Sequence, residues 1–475
     1  MTFSSPVFLF LFFPLTVLLY FLIPAKYLRA RNALLTAASL IFYAFGEPVA
    51  MLLMLLVVAW SWGSALLTGR FPKQKRLFQV LGVLGDLAVL ILYKYADFLI
   101  TSANDLFGTA IPLMRLRLPI GISFFVFQAV SYVMDTARGE AQPQKSYFRL
   151  LLYIAFFPQL IAGPIVRYQT VAEALSARKT TPEALAKGIR RMIFGLSKKL
   201  LIADTLGQIA DSVFGMTGPQ LALPTAWLGA VCYAFQIFYD FSGYSDMAIG
   251  MGQVFGFSFP ENFNYPYCAG SLTDFWRRWH ISLTTWFRQY LYIPLGGNRR
   301  GRLRTVLNKW TVFLCTGLWH GASWNFVIWG IMHGFFMTLE QLFSGGKQKK
   351  KPAGSGSRWY LHIYTLLVVV TAFVIFRAED LPSAFRMYRA MFTGFGLTGS
   401  ALSAAAGMLS PLVLTVLGAA VLFAVPLPAR LIRAGERRAP DVTGFLLGTV
   451  SLVLLVLCVM NAAATVYHPF IYFRF

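Results

Sequence analysis

Residues 49–67 read VAMLLMLLVVAWSWGSALL, nineteen positions without a charged side chain. An α-helix rises about 1.5 Å per residue, so this stretch can cross a hydrocarbon layer about 30 Å thick. A helix is the expected form, because lipid offers no partner for an exposed peptide group and a helix satisfies its own. Working outward, comparable apolar blocks occupy residues 5–24, 32–46, 77–100, 150–166, 225–255, 312–342, 360–376, 411–427 and 445–463. The expectation is an all-α polytopic membrane protein with about ten to twelve membrane-inserted segments, some of them short or re-entrant.

Composition points the same way. Of 475 residues, 57% are hydrophobic and 13% charged, against about a quarter charged in soluble domains. The 42 Lys and Arg against 19 Asp and Glu give a net charge of +23, carried by clusters at residues 26–31, 70–76, 347–358 and 430–438. Short basic clusters between apolar spans match the positive-inside bias and argue against a nucleic-acid surface. Placing residues 26–31 and 70–76 in the cytoplasm puts the N-terminus outside. No basic residue precedes Lys26, so the first segment reads as a retained anchor rather than a cleaved signal. Cys232, Cys268, Cys315 and Cys458 lie in or beside apolar stretches without CxxC spacing, and read as packing residues.

The chain shows no fixed-period repeat and no soluble domain able to fold alone. Residues 344–358, SGGKQKKKPAGSGSR, are expected to form a basic, flexible cytoplasmic loop. It separates residues 1–343, which hold nearly all the unusual polar groups, from the plain apolar spans of 359–475. Residues 181–207 mix apolar positions with Lys187, Arg190, Arg191, Lys198 and Lys199, the pattern of an interfacial helix with snorkelling cations.

A charged side chain inside a span costs at least about 2.5 kcal/mol, so such residues face a cavity or a partner. Three stretches carry them. Residues 233–252, YAFQIFYDFSGYSDMAIGMG, contain Asp240 and Asp246, which six-residue spacing sends to different faces of a straight helix unless Gly243 breaks it. They read equally as structural partners for buried Arg and as direct ligands. Residues 271–297, SLTDFWRRWHISLTTWFRQYLYIPLGG, interleave Arg277, Arg278, His280 and Arg288 with aromatics. On one helix, Trp276 and His280 would share a face, and the arginines would grip an anionic or phosphate-bearing ligand. The third stretch holds GLWHGASWNFVIWGIMHG at 317–334. His320 stands between Gly317 and Gly321, well beyond the last charge at Lys309. A buried imidazole is either a hydrogen-bonded core group or a general base, and the flanking glycines, which permit close approach, favour the second. His333 lies thirteen residues on, about 20 Å along an unbroken helix, and reaches the same atom only if the chain breaks at Gly321. The five histidines are scattered without HxxH or HExxH spacing, so no metal is expected.

Taken together, residues 118–135 (LPIGISFFVFQAVSYVMD), 156–168 (FFPQLIAGPIVRY), 239–250 (YDFSGYSDMAIG), 274–298 (DFWRRWHISLTTWFRQYLYIPLGGN) and 317–330 (GLWHGASWNFVIWG) resemble the membrane-bound O-acyltransferase family, in its bacterial alginate-acetylating branch. The closing PFIYFRF of 469–475 resembles that branch too. The resemblance implies about eleven spans plus re-entrant and interfacial helices enclosing a tunnel, as a single membrane-embedded acyltransferase domain over 1–475. It implies that His320 corresponds to the family's invariant histidine and His280 to a second, more variable one. Trp276, Arg277, Asp240, Asp246, Asn298 and Trp319 are expected to contact substrate. The implied donor is acetyl-CoA at the cytoplasmic face, with no bound cofactor; a D-alanyl-transferring branch uses an acyl carrier protein instead. The implied setting is the bacterial cytoplasmic membrane, with an extracytoplasmic acetyltransferase partner and a polysaccharide acceptor. A transporter or flippase with a buried Arg, Asp and His path is the competing class; it would show related halves, and none are evident.

Overall fold

The computed structural model describes residues 1–343, 359–393, 397–464 and 470–471. The expected loop at 344–358, His468 and most of PFIYFRF therefore lie outside the described residues. Within them, every regular element is helical. Five helices are long and apolar enough to cross a membrane: Pro48–Arg70, Pro72–Phe107, Trp324–Phe343, Trp359–Arg377 and Pro440–Ala464. Gly399–Met408 and Pro411–Phe423, bent by 74°, make a sixth if counted as one broken span. This is an integral membrane protein.

Several other apolar blocks fold as shorter pieces. Leu28–Ala44 and Ile122–Arg138 have 17 residues each, just under the length of a straight crossing. The block at 150–166 divides into Tyr147–Ala155 and Phe157–Leu160.

The described chain divides into two compact units. The first comprises Met1–Leu196 and Tyr244–Glu261. Here Gly82 lets its helix approach Pro48–Arg70 and Ile122–Arg138 so closely that a Cβ would lie 2.9 Å from both Ser64 Cβ and Val133 Cγ1. Inside the same unit Arg191 donates to Asp246 at 2.8 Å and also pairs with Glu261.

The second unit comprises Ser197–Gly243 and Asn262–Ile471. It carries the three features that change the reading of the sequence. Gly243 does not break its helix, which runs unbroken over Leu223–Val254. Lys199 does not snorkel to headgroups. It lies in the π-helical turn Lys198–Ala203, 6% exposed, donates to the half-buried Asp204 at 2.8 Å and is ion-paired with buried Asp240 at 2.6 Å, because these two carboxylates compensate its charge where lipid would not. The block at 312–342 is not one span but a hairpin: Gly301–His320 ends where Gly321 turns extended (φ −165°, ψ 154°), and Trp324–Phe343 returns against it. Glycines let the two helices touch. A Cβ on Gly317 would lie 2.2 Å from Phe326 O, and one on Gly330 2.4 Å from Phe313 O.

Candidate functional site

The second unit gathers His280, His320 and His333 around tryptophan rings. His320 is the last residue of its helix and 4% exposed. Its ring packs edge-on against Trp319, Trp329 and Phe376, with centroids 5.0, 5.1 and 5.0 Å away. Trp319 also meets the ring of His280 at 5.7 Å. The two predicted imidazoles therefore flank one indole.

His280 reaches this place by a turn that helical spacing does not foresee. The helix Leu272–Arg278 stops, His280 takes the left-handed conformation (φ 44°, ψ 54°), and Ile281–Phe287 starts afresh. Trp276 and His280 thus do not share a helix face, because the backbone between them leaves the helix. A left-handed non-glycine residue costs about 1–3 kcal/mol and persists only where its surroundings hold it. Asn262 does the holding. Its backbone carbonyl accepts the Ile281 N–H at 2.9 Å, and its Oδ1 accepts from Ser282 N at 3.1 Å and Ser282 Oγ at 2.9 Å. The same Oδ1 lies 3.2 Å from His280 Nδ1. An atom that accepts from a peptide N–H is the oxygen, so Nδ1 carries the proton of a neutral imidazole and Nε2 is its basic nitrogen.

The hairpin also brings in His333. Trp276 Nε1 donates to His333 Nδ1 at 3.3 Å, and the ring of Trp329 lies 4.7 Å from His333 while touching His320. The break at Gly321 allows this, since on one straight helix the two histidines would stand far apart.

Beside the histidines lies a cavity of about 1130 Å³ lined by Trp276, Arg277, Arg288, Asn298, Arg302 and Lys309, among others. Three predicted substrate contacts, Trp276, Arg277 and Asn298, meet here. Four cationic side chains in its lining suit a phosphate-bearing ligand. The wall is anchored from afar: Glu340 accepts the Leu272 N–H at 2.6 Å and Ser271 Oγ accepts the Asp274 N–H at 3.1 Å, capping the helix that carries Trp276 and Arg277. Asp240 and Asp246 stand apart from the cavity lining. Asp240, 2% exposed, is engaged by Lys199 and by the Ile471 N–H at 2.8 Å, and Asp246 by Arg191 in the other unit.

Sequence reasoning missed Asn262, Trp329, Lys199 and Glu340 as parts of the site or its support. Trp329 falls inside the quoted GLWHGASWNFVIWG, so only its neighbours were hidden. Asn262 carries no signal at all, being one of two asparagines in an aromatic-rich loop.

Comparison with known proteins places these residues in a family context. Residues 121–379 match the model of the membrane-bound O-acyltransferase family. Over its whole length, and the whole of the relative's, the chain is similar to a protein of Azotobacter vinelandii described as probable alginate O-acetylase, with 39% identity. It is 35% identical to a peptidoglycan O-acetyltransferase of Helicobacter pylori, covering 84% of this chain and 81% of that one. A teichoic acid D-alanyltransferase of Bacillus subtilis is 31% identical over 54% of this chain and 65% of its own.

Proposed function

The chain belongs to the membrane-bound O-acyltransferase family, and we propose that it moves an acetyl group from cytoplasmic acetyl-CoA to a hydroxyl acceptor outside, for O-acetylation of a cell-envelope or secreted polysaccharide. The observation that carries this reading is an aromatic path from cavity to base. Trp276 lines the cationic cavity and meets Trp329 at 5.8 Å, and Trp329 meets His320 at 5.1 Å. Arg277, Arg288, Arg302 and Lys309 then hold the donor's phosphates, which leaves its thioester to reach toward the histidines.

The chemistry follows from the groups present. The acceptor hydroxyl oxygen attacks the thioester carbonyl carbon, and its proton passes to His320. A C–O bond forms while the carbonyl electron pair moves onto oxygen. When the carbonyl re-forms, the C–S bond breaks and the leaving thiolate takes the proton back from His320, releasing CoA thiol. His280, with Nε2 as its basic nitrogen, orients donor or acceptor on the other side of Trp319. Burial of both rings excludes the water that would hydrolyse the thioester.

Acceptor and partner are assigned by analogy with the alginate and peptidoglycan acetylating relatives: an extracytoplasmic acetyltransferase partner and its polysaccharide, in the bacterial cytoplasmic membrane. A body of about eleven spans around a tunnel belongs to the same proposal. A second reading has an acyl carrier protein as donor, whose acidic surface the same cationic lining would serve.

The test is transfer of radiolabelled acetyl from acetyl-CoA by the protein in liposomes. His320→Ala should lower the rate by about 10²–10⁴, the usual contribution of a general base. Unchanged transfer by that variant would remove His320 from the chemistry, and turnover with a charged carrier protein alone would replace acetyl-CoA as donor.

A further inference from the structure

Trp329 is 1% exposed, yet its Nε1 has no hydrogen-bond acceptor among the described residues. Buried N–H groups are nearly always paired, and one left orphaned in a native fold calls for a reason. Buried Trp276 satisfies its own, donating to His333 Nδ1, and the half-buried Trp62, Trp227 and Trp310 donate to Gln144 O, Met391 O and Thr338 Oγ1. A phenylalanine at 329 would leave no donor unsatisfied. The orphan also sits where a donor is useful, with its ring against both His320 and Trp276.

We propose that Trp329 is a further catalytic residue, whose indole N–H receives the thioester carbonyl oxygen and stabilises the charge that oxygen gains in the transition state. The proposal rests on the acyl-transfer reading above. In that step the acceptor oxygen bonds to the carbonyl carbon, the π pair moves to the carbonyl oxygen, and the proton goes to His320. Trp329 keeps its proton throughout and only donates a hydrogen bond. A donor unpaired before substrate arrives needs no partner to be displaced, which is the arrangement that electrostatic preorganisation requires. It also gives a role to the N–H of an indole packed among rings, with His333, His320 and Phe376 centroids 4.7, 5.1 and 5.4 Å away.

The experiment uses the full chain in liposomes with labelled acetyl-CoA, comparing wild type, His320→Ala, Trp329→Phe, and a variant carrying benzothienylalanine at 329, in which sulfur replaces the indole N–H. Both position-329 variants should lose about 10²–10³ in kcat, the usual effect of removing one oxyanion donor, with KM for acetyl-CoA within about threefold. The benzothienylalanine variant keeps the ring's size and removes a buried unsatisfied donor, so it should not lower the thermal midpoint in detergent, whereas Trp329→Phe should lower it through the lost ring. A residue that served only packing would leave activity unchanged with the isosteric analogue and lose it only together with the midpoint in Trp329→Phe. Wild-type kcat in the benzothienylalanine variant overturns the proposal. If His320→Ala retains full transfer, the acyl-transfer reading fails and takes this one with it, whereas loss in His320→Ala with none at 329 sinks Trp329 alone.

Discussion

At the left-handed backbone of His280 (φ 44°), the Asn262 side chain meets His280 Nδ1, Ser282 N and Ser282 Oγ through one oxygen. Asn262→Ala leaves those donors buried without their acceptor, at about 1–3 kcal/mol. We expect a lower thermal midpoint together with reduced acyl transfer, while Asn262→Asp, which keeps the acceptor, should retain more of both. Equal damage from the two substitutions would show that the oxygen is not what holds the turn. At the cavity wall, Arg277→Gln should raise KM for a phosphate-bearing donor with a smaller change in kcat, because a group that grips donor and transition state alike contributes uniform binding. An unchanged KM, measured at low salt where such attraction is strongest, would count against a phosphate site there. His320 was legible in the sequence because its glycine-flanked, charge-free setting is local. Asn262 was not, because its contact spans 18 residues of chain and follows no period.

Among the elements, the hairpin of Gly301–His320 and Trp324–Phe343 decides which rings surround His320. Its two close approaches, Gly317 to Phe326 O and Gly330 to Phe313 O, are against backbone, which cannot swing aside. Gly317→Ala or Gly330→Ala should therefore cost at least the roughly 1–3 kcal/mol of an overpacked core, and the helices should separate enough to lower acyl transfer as well. Gly444→Ala is the matched control: a Cβ there meets nothing within 4 Å, so a glycine-to-alanine change in that helix should be neutral or slightly stabilising. Circular-dichroism melts of the three variants in detergent test this, and a Gly317→Ala midpoint equal to that of wild type would contradict the packing described. Hydropathy correctly marked residues 312–342 as apolar but could not show the reversal at 321, since a hairpin and a single span share one composition.

For the molecule as a whole, the buried ion cluster of Lys199, Asp204 and Asp240 ties the π-helical turn to the long Leu223–Val254 helix and to Ile471. Lys199→Met should destabilise by about 3–5 kcal/mol, the usual cost of stranding a buried charge by deleting its partner. Adding Asp240→Asn should recover part of that loss, because one of the two stranded carboxylates becomes neutral. A double variant less stable than Lys199→Met alone would mean that Asp240 is held by something other than this pair. The sequence by itself determined that the chain is an all-helical membrane protein, which family it resembles and which histidine to suspect. These rest on sums and motifs along the chain, and the hydrophobic effect makes such local sums decisive for where a segment lies. Only the tertiary structure decided that His280, Trp319 and His320 adjoin, that His333 joins them through Trp276 and Trp329, and that Lys199 is an internal ion-pair partner. Those facts depend on a left-handed turn, a helix reversal and contacts across 57 residues of chain. Each is set by how packed elements exclude one another's volume and satisfy one another's polar groups, and no local pattern of residues records it.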